Sequence, residues 1–127
     1  MIDETYAWPP FSVAVTAAGE SILIEVGGEL DCAVSPRLRA ALLAAIERLG
    51  PPREVRVDLS GVSFIDAGGV GVLVGGRELA LRRGLGFAVQ GARGVVHRVF
   101  EILGLAEMLE APRSAPSTAA SEMPPRS

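Results

Sequence analysis

The 127-residue sequence has few aromatic side chains, a single cysteine and no lysine. Only 5% of the residues are aromatic, although 49% are hydrophobic, so the core must be built from valine, leucine, isoleucine and alanine. A core of these residues favours helices packed on strands. A chain of this length is long enough to bury such a core, and it predicts one domain.

The shortage of cysteine and histidine excludes several kinds of chemistry. Cys32 is the only cysteine, so neither an intramolecular disulfide nor a cysteine-based metal site can form within one chain. We expect Cys32 to be a small packing residue. The alternative that it forms a disulfide with another chain stays open. His97, the only histidine, falls in an apolar helical segment and leaves a serine or cysteine nucleophile without a base. These absences predict a cytoplasmic protein that is not an enzyme and needs no metal or cofactor.

Basic clusters and long apolar runs are also missing. The net charge of -3 argues against binding to nucleic acid or to an anionic membrane surface, since both depend on basic patches. The longest apolar runs, such as residues 70–74, are far too short to span a bilayer, and no export signal is visible. We therefore expect no nucleic-acid partner, no direct membrane insertion, and another protein as the partner. The sequence also allows a homodimer.

The two ends of the chain differ in composition from the middle. Residues 1–10 end in two prolines and are predicted to form an N-terminal arm. Residues 112–127 hold four prolines and four serines with almost no large apolar residue, which is typical of a disordered tail. The folded domain is predicted to span residues 11–111.

Within this domain, apolar residues alternate or recur at helical spacing in the order ββαβαβα. Ser35 suits the N-cap of the first helix, with Pro36 at the first helical position, and the second and third helices should end at Gly84 and Gly104. Short strands that alternate with helices predict an α/β fold, with a mixed, mostly parallel sheet of four to five strands and crossover helices packed on it. The predicted strands lie near residues 11–15, 21–26, 54–59 and 85–89, with an edge strand or turn at 107–109.

A lone aspartate followed by glycines interrupts the middle of the chain. Asp66 stands just before the second helical stripe, where a carboxylate can cap the free N–H groups of a helix. Gly68, Gly69 and Gly71 weaken a helix relative to alanine, so their presence indicates close backbone approach or a flat, exposed helix start. A flat surface of this kind suits docking of another protein.

The glycine-rich residues 69–76 also raise the alternative of a nucleotide-binding loop. A Walker loop would need lysine and then serine or threonine after its last glycine, but Arg77 and Glu78 follow Gly76. A dinucleotide fingerprint would need glycine where Val74 stands. A nucleotide-binding domain is therefore kept only as an alternative.

Two spaced motifs carry a resemblance to a known family. Gly-Glu-Leu-Asp at residues 28–31, followed by DLSGVSFID at 58–66 and GVGVL at 69–73, resembles the STAS family of anti-sigma factor antagonists, or anti-anti-sigma factors. The helix at 95–105 with its Leu-Gly-Leu end is similar to that family as well. The resemblance covers nearly the whole predicted domain.

The resemblance implies a single-domain bacterial regulator of transcription. Such a protein binds an anti-sigma factor with a kinase-like ATPase fold and thereby releases a sigma factor. In that family the partner phosphorylates a serine or threonine two residues after the aspartate. The partner-binding residues that the resemblance implies here are Glu29, Asp31, Asp66, Ala67, Gly68, Gly69 and Gly71.

The phospho-acceptor position departs from the family pattern. Gly68 stands two residues after Asp66 and has no hydroxyl group, so the acceptor is lost. The chain is therefore expected to keep its docking surface in a form like the unphosphorylated one. The alternative from another class is a STAS scaffold or regulatory subunit of a signalling or membrane-transport complex.

Overall fold

The computed structural model describes residues 11–48 and 54–110, which form five strands and three α-helices. The predicted α/β class and order of elements are confirmed, whereas the predicted arm at 1–10 and tail at 112–127 lie outside the described residues. In chain order the elements are β1 (Ser12–Ala18), β2 (Ser21–Leu30), α1 (Ser35–Arg48), β3 (Glu54–Ile65), α2 (Ala67–Arg82), β4 (Gly86–Gln90), α3 (Val95–Ile102), a 3-10 helix (Ala106–Met108) and β5 (Leu109–Glu110).

The five strands form one sheet in the order β1-β2-β3-β4-β5. β1 pairs with β2 in antiparallel orientation, and the remaining neighbours are parallel, as predicted. Because β2 and β3 are parallel neighbours, their carboxyl ends lie at the same edge of the sheet, where Leu30 pairs with Ile65. This edge brings the two motifs of the sequence together.

The core lies between the sheet and the helices. Alternate residues of β2 and β3, such as Ile24 and Val57, are fully buried, because successive side chains of a strand point to opposite faces. Leu38 of α1 and Leu73 of α2 are equally buried. Aliphatic side chains therefore supply most of this core, as the shortage of aromatics predicts. Within residues 11–48 and 54–110, no helix is long and apolar enough to cross a membrane.

β2 and β3 extend further than predicted. The sequence places the end of β3 near Leu59, but the strand continues through Gly61 to Ile65. Gly61 pairs with Gly27 of β2, and a Cβ atom added to Gly61 would lie 3.3 Å from the carbonyl oxygen of Val26. Two glycines that face each other let the strands stay paired through an irregular register, although each one read alone indicates a turn.

The prediction that Ser35 caps α1 is wrong. The carboxylate of Asp31 accepts hydrogen bonds from the backbone N–H groups of Ala33 at 3.0 Å and Val34 at 3.2 Å. The Ser35 hydroxyl instead donates to the carbonyl oxygen of Cys32 at 3.4 Å. Aspartate and serine are both good partners for free N–H groups at a helix start, so composition alone could not separate the two.

Helices α2 and α3 both end two residues before the glycines that were predicted to stop them. Gly84 and Gly104 have positive φ angles of +77° and +75°. Glycine adopts this left-handed conformation without the steric cost that a Cβ atom brings, and it commonly follows the last turn of a helix. The predicted stops of both helices are therefore confirmed.

A buried polar cluster joins β3, β4 and β5. The guanidinium group of Arg56, whose side chain is 6% exposed, donates to Gln90 and to Glu110, each at 3.1 Å, and pairs with Glu54 at 3.1 Å. Gln90 also donates to Asp58 at 2.9 Å. The bonds from Arg56 to β4 and β5 favour one alignment of these strands, because a slip would break the hydrogen bonds to Gln90 and Glu110.

The carboxyl group of Asp58 has a shifted pKa. Partial burial by itself would raise the pKa, but hydrogen bonds from Ser60 and Gln90, together with the charge of Arg93, outweigh burial and lower it below the ordinary value of 3.8. Because the pKa of Asp58 is lower in the folded chain than in the unfolded chain, its ionised carboxylate stabilises the fold at pH values above 3.8. That stabilisation is lost as the pH falls through the lowered pKa.

Candidate partner-binding site

The shared carboxyl edge of β2 and β3 builds the candidate site. Glu29 pairs with Phe64 across the two strands, and the backbone N–H of Asp66 donates to the carbonyl oxygen of Leu30 at 3.3 Å. The chain then turns into α2, so Asp66 and the first turn of the helix lie beside the segment that follows β2. The structure therefore brings the predicted residues of both motifs into one region.

Asp66 is the N-cap of α2, as predicted. Its backbone is extended, with φ at -117°, and its Oδ1 atom accepts a hydrogen bond from the N–H of Gly69 at 3.0 Å. Its Oδ2 atom accepts a second bond, from the N–H of Cys32 at 3.1 Å. One carboxylate therefore stabilises the helix and also ties the segment after β2 to it. The second bond joins residues far apart in the chain, and no local pattern signals it.

Gly68 and Gly69 allow the close approach that the glycine pattern indicates. A Cβ atom added to Gly68 would lie 3.2 Å from the Cβ of Cys32, which is a tight contact. One added to Gly69 would lie 2.7 Å from the carbonyl oxygen of Leu30 and 2.9 Å from a side-chain carbon of Ile65, which is a clash. Gly69 is buried, so it shapes the site by packing and does not present a surface.

The surface around half-buried Gly68 includes the carboxylate of Asp66 and small exposed residues. Ala67 and Cys32 are exposed, and the side chain of Phe64 is 42% exposed. Cys32, which is expected to be a small packing residue, is exposed. The carboxylates of Asp31 and Asp66 both accept backbone hydrogen bonds, which directs part of their charge toward the chain itself. An apolar surface with an aromatic side chain suits protein docking.

The remaining predicted positions occupy the rim of this surface. Glu29 and Asp31 are half-buried, and Gly71 is exposed one turn further along α2 with no atom near its missing Cβ. His97 lies on α3, with its Nδ1 atom 3.5 Å from a carboxylate oxygen of Glu101, outside the two motifs that build the site. Across residues 11–48 and 54–110, no cluster of histidine, cysteine and acidic side chains has the arrangement of a metal site.

The glycine-rich residues 69–76 form regular helix within α2 and not a loop. In a phosphate-binding loop the backbone N–H groups are free to point at the ligand. Here the helix uses these groups from its second turn onward, and the N–H of Gly69 in the first turn donates to Asp66. The structural basis for the nucleotide-binding alternative is therefore absent from this stretch.

The family comparison agrees with the fold and with the resemblance of the two motifs. A family model described as "Mlab, STAS domain" matches residues 13–110. This match covers most of the chain, including the candidate site and every strand residue except Ser12. The protein is thus a small α/β domain by architecture, and the chain belongs to the STAS domain family.

Within this family, the chain is similar in sequence and structure to several named anti-sigma factor antagonists. The anti-sigma-B factor antagonist of Listeria monocytogenes is 32% identical over 91 residues, which cover 72% of this chain and 78% of that protein. The structure of the anti-sigma factor antagonist SpoIIAA in its unphosphorylated form has a TM-score of 0.73 at 20% identity, covering 87% of this chain and 96% of that one. An anti-sigma factor antagonist from Mycobacterium paratuberculosis has a TM-score of 0.71 at 25% identity, covering 89% of this chain and 93% of that one.

Proposed function

We propose that this protein is an anti-sigma factor antagonist that binds a kinase-like anti-sigma factor and so releases a sigma factor. The proposal is supported by the relatives, which are named anti-sigma factor antagonists, and by the extent of the match along the chain. The observation that carries it is the arrangement around Gly68. Gly68 lies half-buried in the first turn of α2, where a Cβ atom would lie 3.2 Å from the Cβ of exposed Cys32 and 3.3 Å from Oδ1 of the N-cap Asp66.

The proposed regulation differs from a phosphorylation switch. Gly68 stands where the family resemblance places the phospho-acceptor, and glycine offers no oxygen for phosphoryl transfer. Ser60 and Ser63 are exposed but lie within β3, before Asp66, and not at the helix start. We therefore propose that the surface stays competent for docking in the presence of ATP.

Electrostatics explain why a charge at position 68 should interfere. A phosphate group adds about -1.5 to -2 charges at neutral pH. At this position it would stand beside the carboxylate of Asp66, whose Oδ1 atom lies 3.3 Å from a Cβ atom added to Gly68. Glycine leaves that surface without this charge and without a side chain that would hold the partner away.

The Gly68→Glu variant tests the proposed surface. Binding to each purified kinase-like anti-sigma factor encoded in the source genome would be measured by calorimetry. We expect at least one partner to bind, with affinity about tenfold or more weaker for Gly68→Glu, because charge and bulk oppose docking. The matched control is Thr16→Glu, which adds the same charge at an exposed position of β1. Thr16 pairs with Leu23 near the amino end of β2, away from the candidate site at the carboxyl end. The affinity of this control should equal that of the unaltered protein.

Two results would contradict the proposal. Equal affinity of Gly68→Glu and the unaltered protein would remove the first turn of α2 from the interface. Failure to bind any of these anti-sigma factors, together with binding to a purified transport-complex subunit, would favour the scaffold or regulatory-subunit alternative.

A further inference from the structure

A second surface lies between α1 and α2, one turn beyond Gly68. The two helices leave a groove of about 240 Å³ between them. Its apolar lining includes Leu42 and Leu43 of α1 and Val72 and Leu79 of α2. Leu43 is 38% exposed, so part of this apolar surface faces solvent.

Glycines open this groove. Gly71 and Gly75 both line it, and a Cβ atom added to either would meet no atom within 4 Å. Gly76 lines it as well, and there a Cβ atom would lie 3.0 Å from a methyl carbon of Leu42. Side chains at these positions would fill the space between the two helices. The absence of side chains therefore leaves a channel wide enough for groups from another molecule.

The charged residues that line the groove are all positive. Arg39 of α1 and Arg82 of α2 stand on its two sides, and both are exposed. Within the described ranges neither makes an ion pair, whereas nearby Arg83 pairs with Glu47 at 3.4 Å. The sequences of α1 and α2 together hold five arginines and two glutamates, although the whole chain has a net charge of -3. The groove is therefore a local basic region on an acidic protein.

These charges distinguish between the candidate occupants. A second copy that docked through the same groove would place its own Arg39 and Arg82 against the same positive groups, which is unfavourable. Residues 112–127 carry two arginines and one glutamate, so this segment offers no negative charge in excess. Residues 1–10 carry two acidic residues, but only eight residues precede two prolines, which is too short a sequence for a helix that fills the groove. A negatively charged partner with an apolar face matches both the lining and the rim.

We propose that the α1–α2 groove binds an acidic amphipathic helix of another protein. A helix that lies between two others packs its apolar side chains into the groove they form, and its flanking carboxylates would then reach Arg39 and Arg82. This inference uses only the shape and charge of the groove and does not depend on the proposed anti-sigma activity.

The test uses a synthetic amphipathic peptide of about four helical turns, with leucines on one face and glutamates on the other. Its matched control carries lysine in place of every glutamate. Binding is measured by fluorescence anisotropy, and the contact site by amide shifts in NMR spectra of the full chain. We expect the acidic peptide to bind at least about tenfold more tightly than the basic one and to shift the amide signals of Gly71, Gly75 and Gly76. Its affinity should fall as the salt concentration is raised.

Charge-reversal variants locate the interaction. The double variant Arg39→Glu/Arg82→Glu should weaken binding of the acidic peptide about tenfold or more. Arg98→Glu, on an exposed position of α3, should leave its affinity unchanged. Both variants alter exposed side chains, and thermal melts would verify that they remain folded. Filling the groove by Gly75→Leu should also weaken binding.

Four results would overturn the inference. The first is equal binding of the acidic and basic peptides. The second is a shift pattern centred away from the groove. The third is an Arg98→Glu effect as large as that of the double variant. A dimer in sedimentation that Gly75→Leu dissociates would show that the groove is an interface between copies, and it would overturn the inference as well.

Discussion

Gly69 and Gly71 lie two residues apart in α2, yet they have opposite surroundings. A Cβ atom at Gly69 would clash with the carbonyl oxygen of Leu30 at 2.7 Å, whereas one at Gly71 would meet nothing within 4 Å. The first position is glycine because β2 and β3 approach the helix closely. The second is glycine although packing does not demand it. A glycine-rich helix can therefore combine a tightly packed first turn with an open surface directly beyond it.

The largest effect should come from Gly69→Ala. The added methyl group must displace the Leu30 backbone or the Ile65 side chain, and overpacking of this kind costs about 3 kcal/mol of stability. Urea denaturation would show this as a large fall in the unfolding midpoint. An unchanged midpoint would mean that the first turn of α2 is not tightly packed.

Asp66→Ala should have the next largest effect. It removes the N-cap bond to Gly69 and the bond to Cys32, for an expected loss of about 1–2 kcal/mol in the free energy of unfolding. Hydrogen exchange would report faster exchange at both amides. The control is Asp66→Asn, which keeps an acceptor oxygen for Gly69 and should lose less. Equal losses in the two variants would argue against the capping role.

Gly71→Ala should stabilise the protein. The position is helical, exposed and open, so alanine gains helix propensity of about 0.8 kcal/mol without a clash. A rise in the midpoint of thermal or urea unfolding would confirm the open surroundings. A fall would show that something in the folded protein occupies this space.

Gly68→Ala should have the smallest effect on stability. The added Cβ would lie 3.2 Å from the Cβ of Cys32, which is tighter than usual but not a clash. The gain in helix propensity and the cost of moving the Cys32 segment should nearly cancel, to within about 0.5 kcal/mol. A loss as large as that of Gly69→Ala would show that the Cys32 segment cannot move.

Local patterns predicted much of this fold. Alternating apolar residues marked four strands, and Gly84 and Gly104 marked the ends of two helices because positive φ angles favour glycine there. The extension of β3 past Leu59 was missed, since glycine and serine read locally as a turn while pairing with β2 keeps them in a strand. The prediction that Ser35 caps α1 failed for a similar reason, because Asp31 accepts the backbone hydrogen bonds just before this helix.

The candidate site was predictable only in part. Asp66 was predicted as a cap because a helix start has local signals. Its bond to Cys32, the burial of Gly69 and the exposure of Phe64 all depend on how β2 and β3 end side by side. Such contacts join residues distant in sequence, and periodicity carries no information about them.

The most direct test of the proposed role compares the protein with its Gly68→Ser variant. Each would be bound to the kinase-like anti-sigma factor that it captures, and ATP with magnesium would then be added. We expect the unaltered protein to stay bound without a mass shift, and Gly68→Ser to gain one phosphate and dissociate. Phosphorylation or release of the unaltered protein would contradict the central claim that Gly68 keeps this surface permanently in its unphosphorylated form.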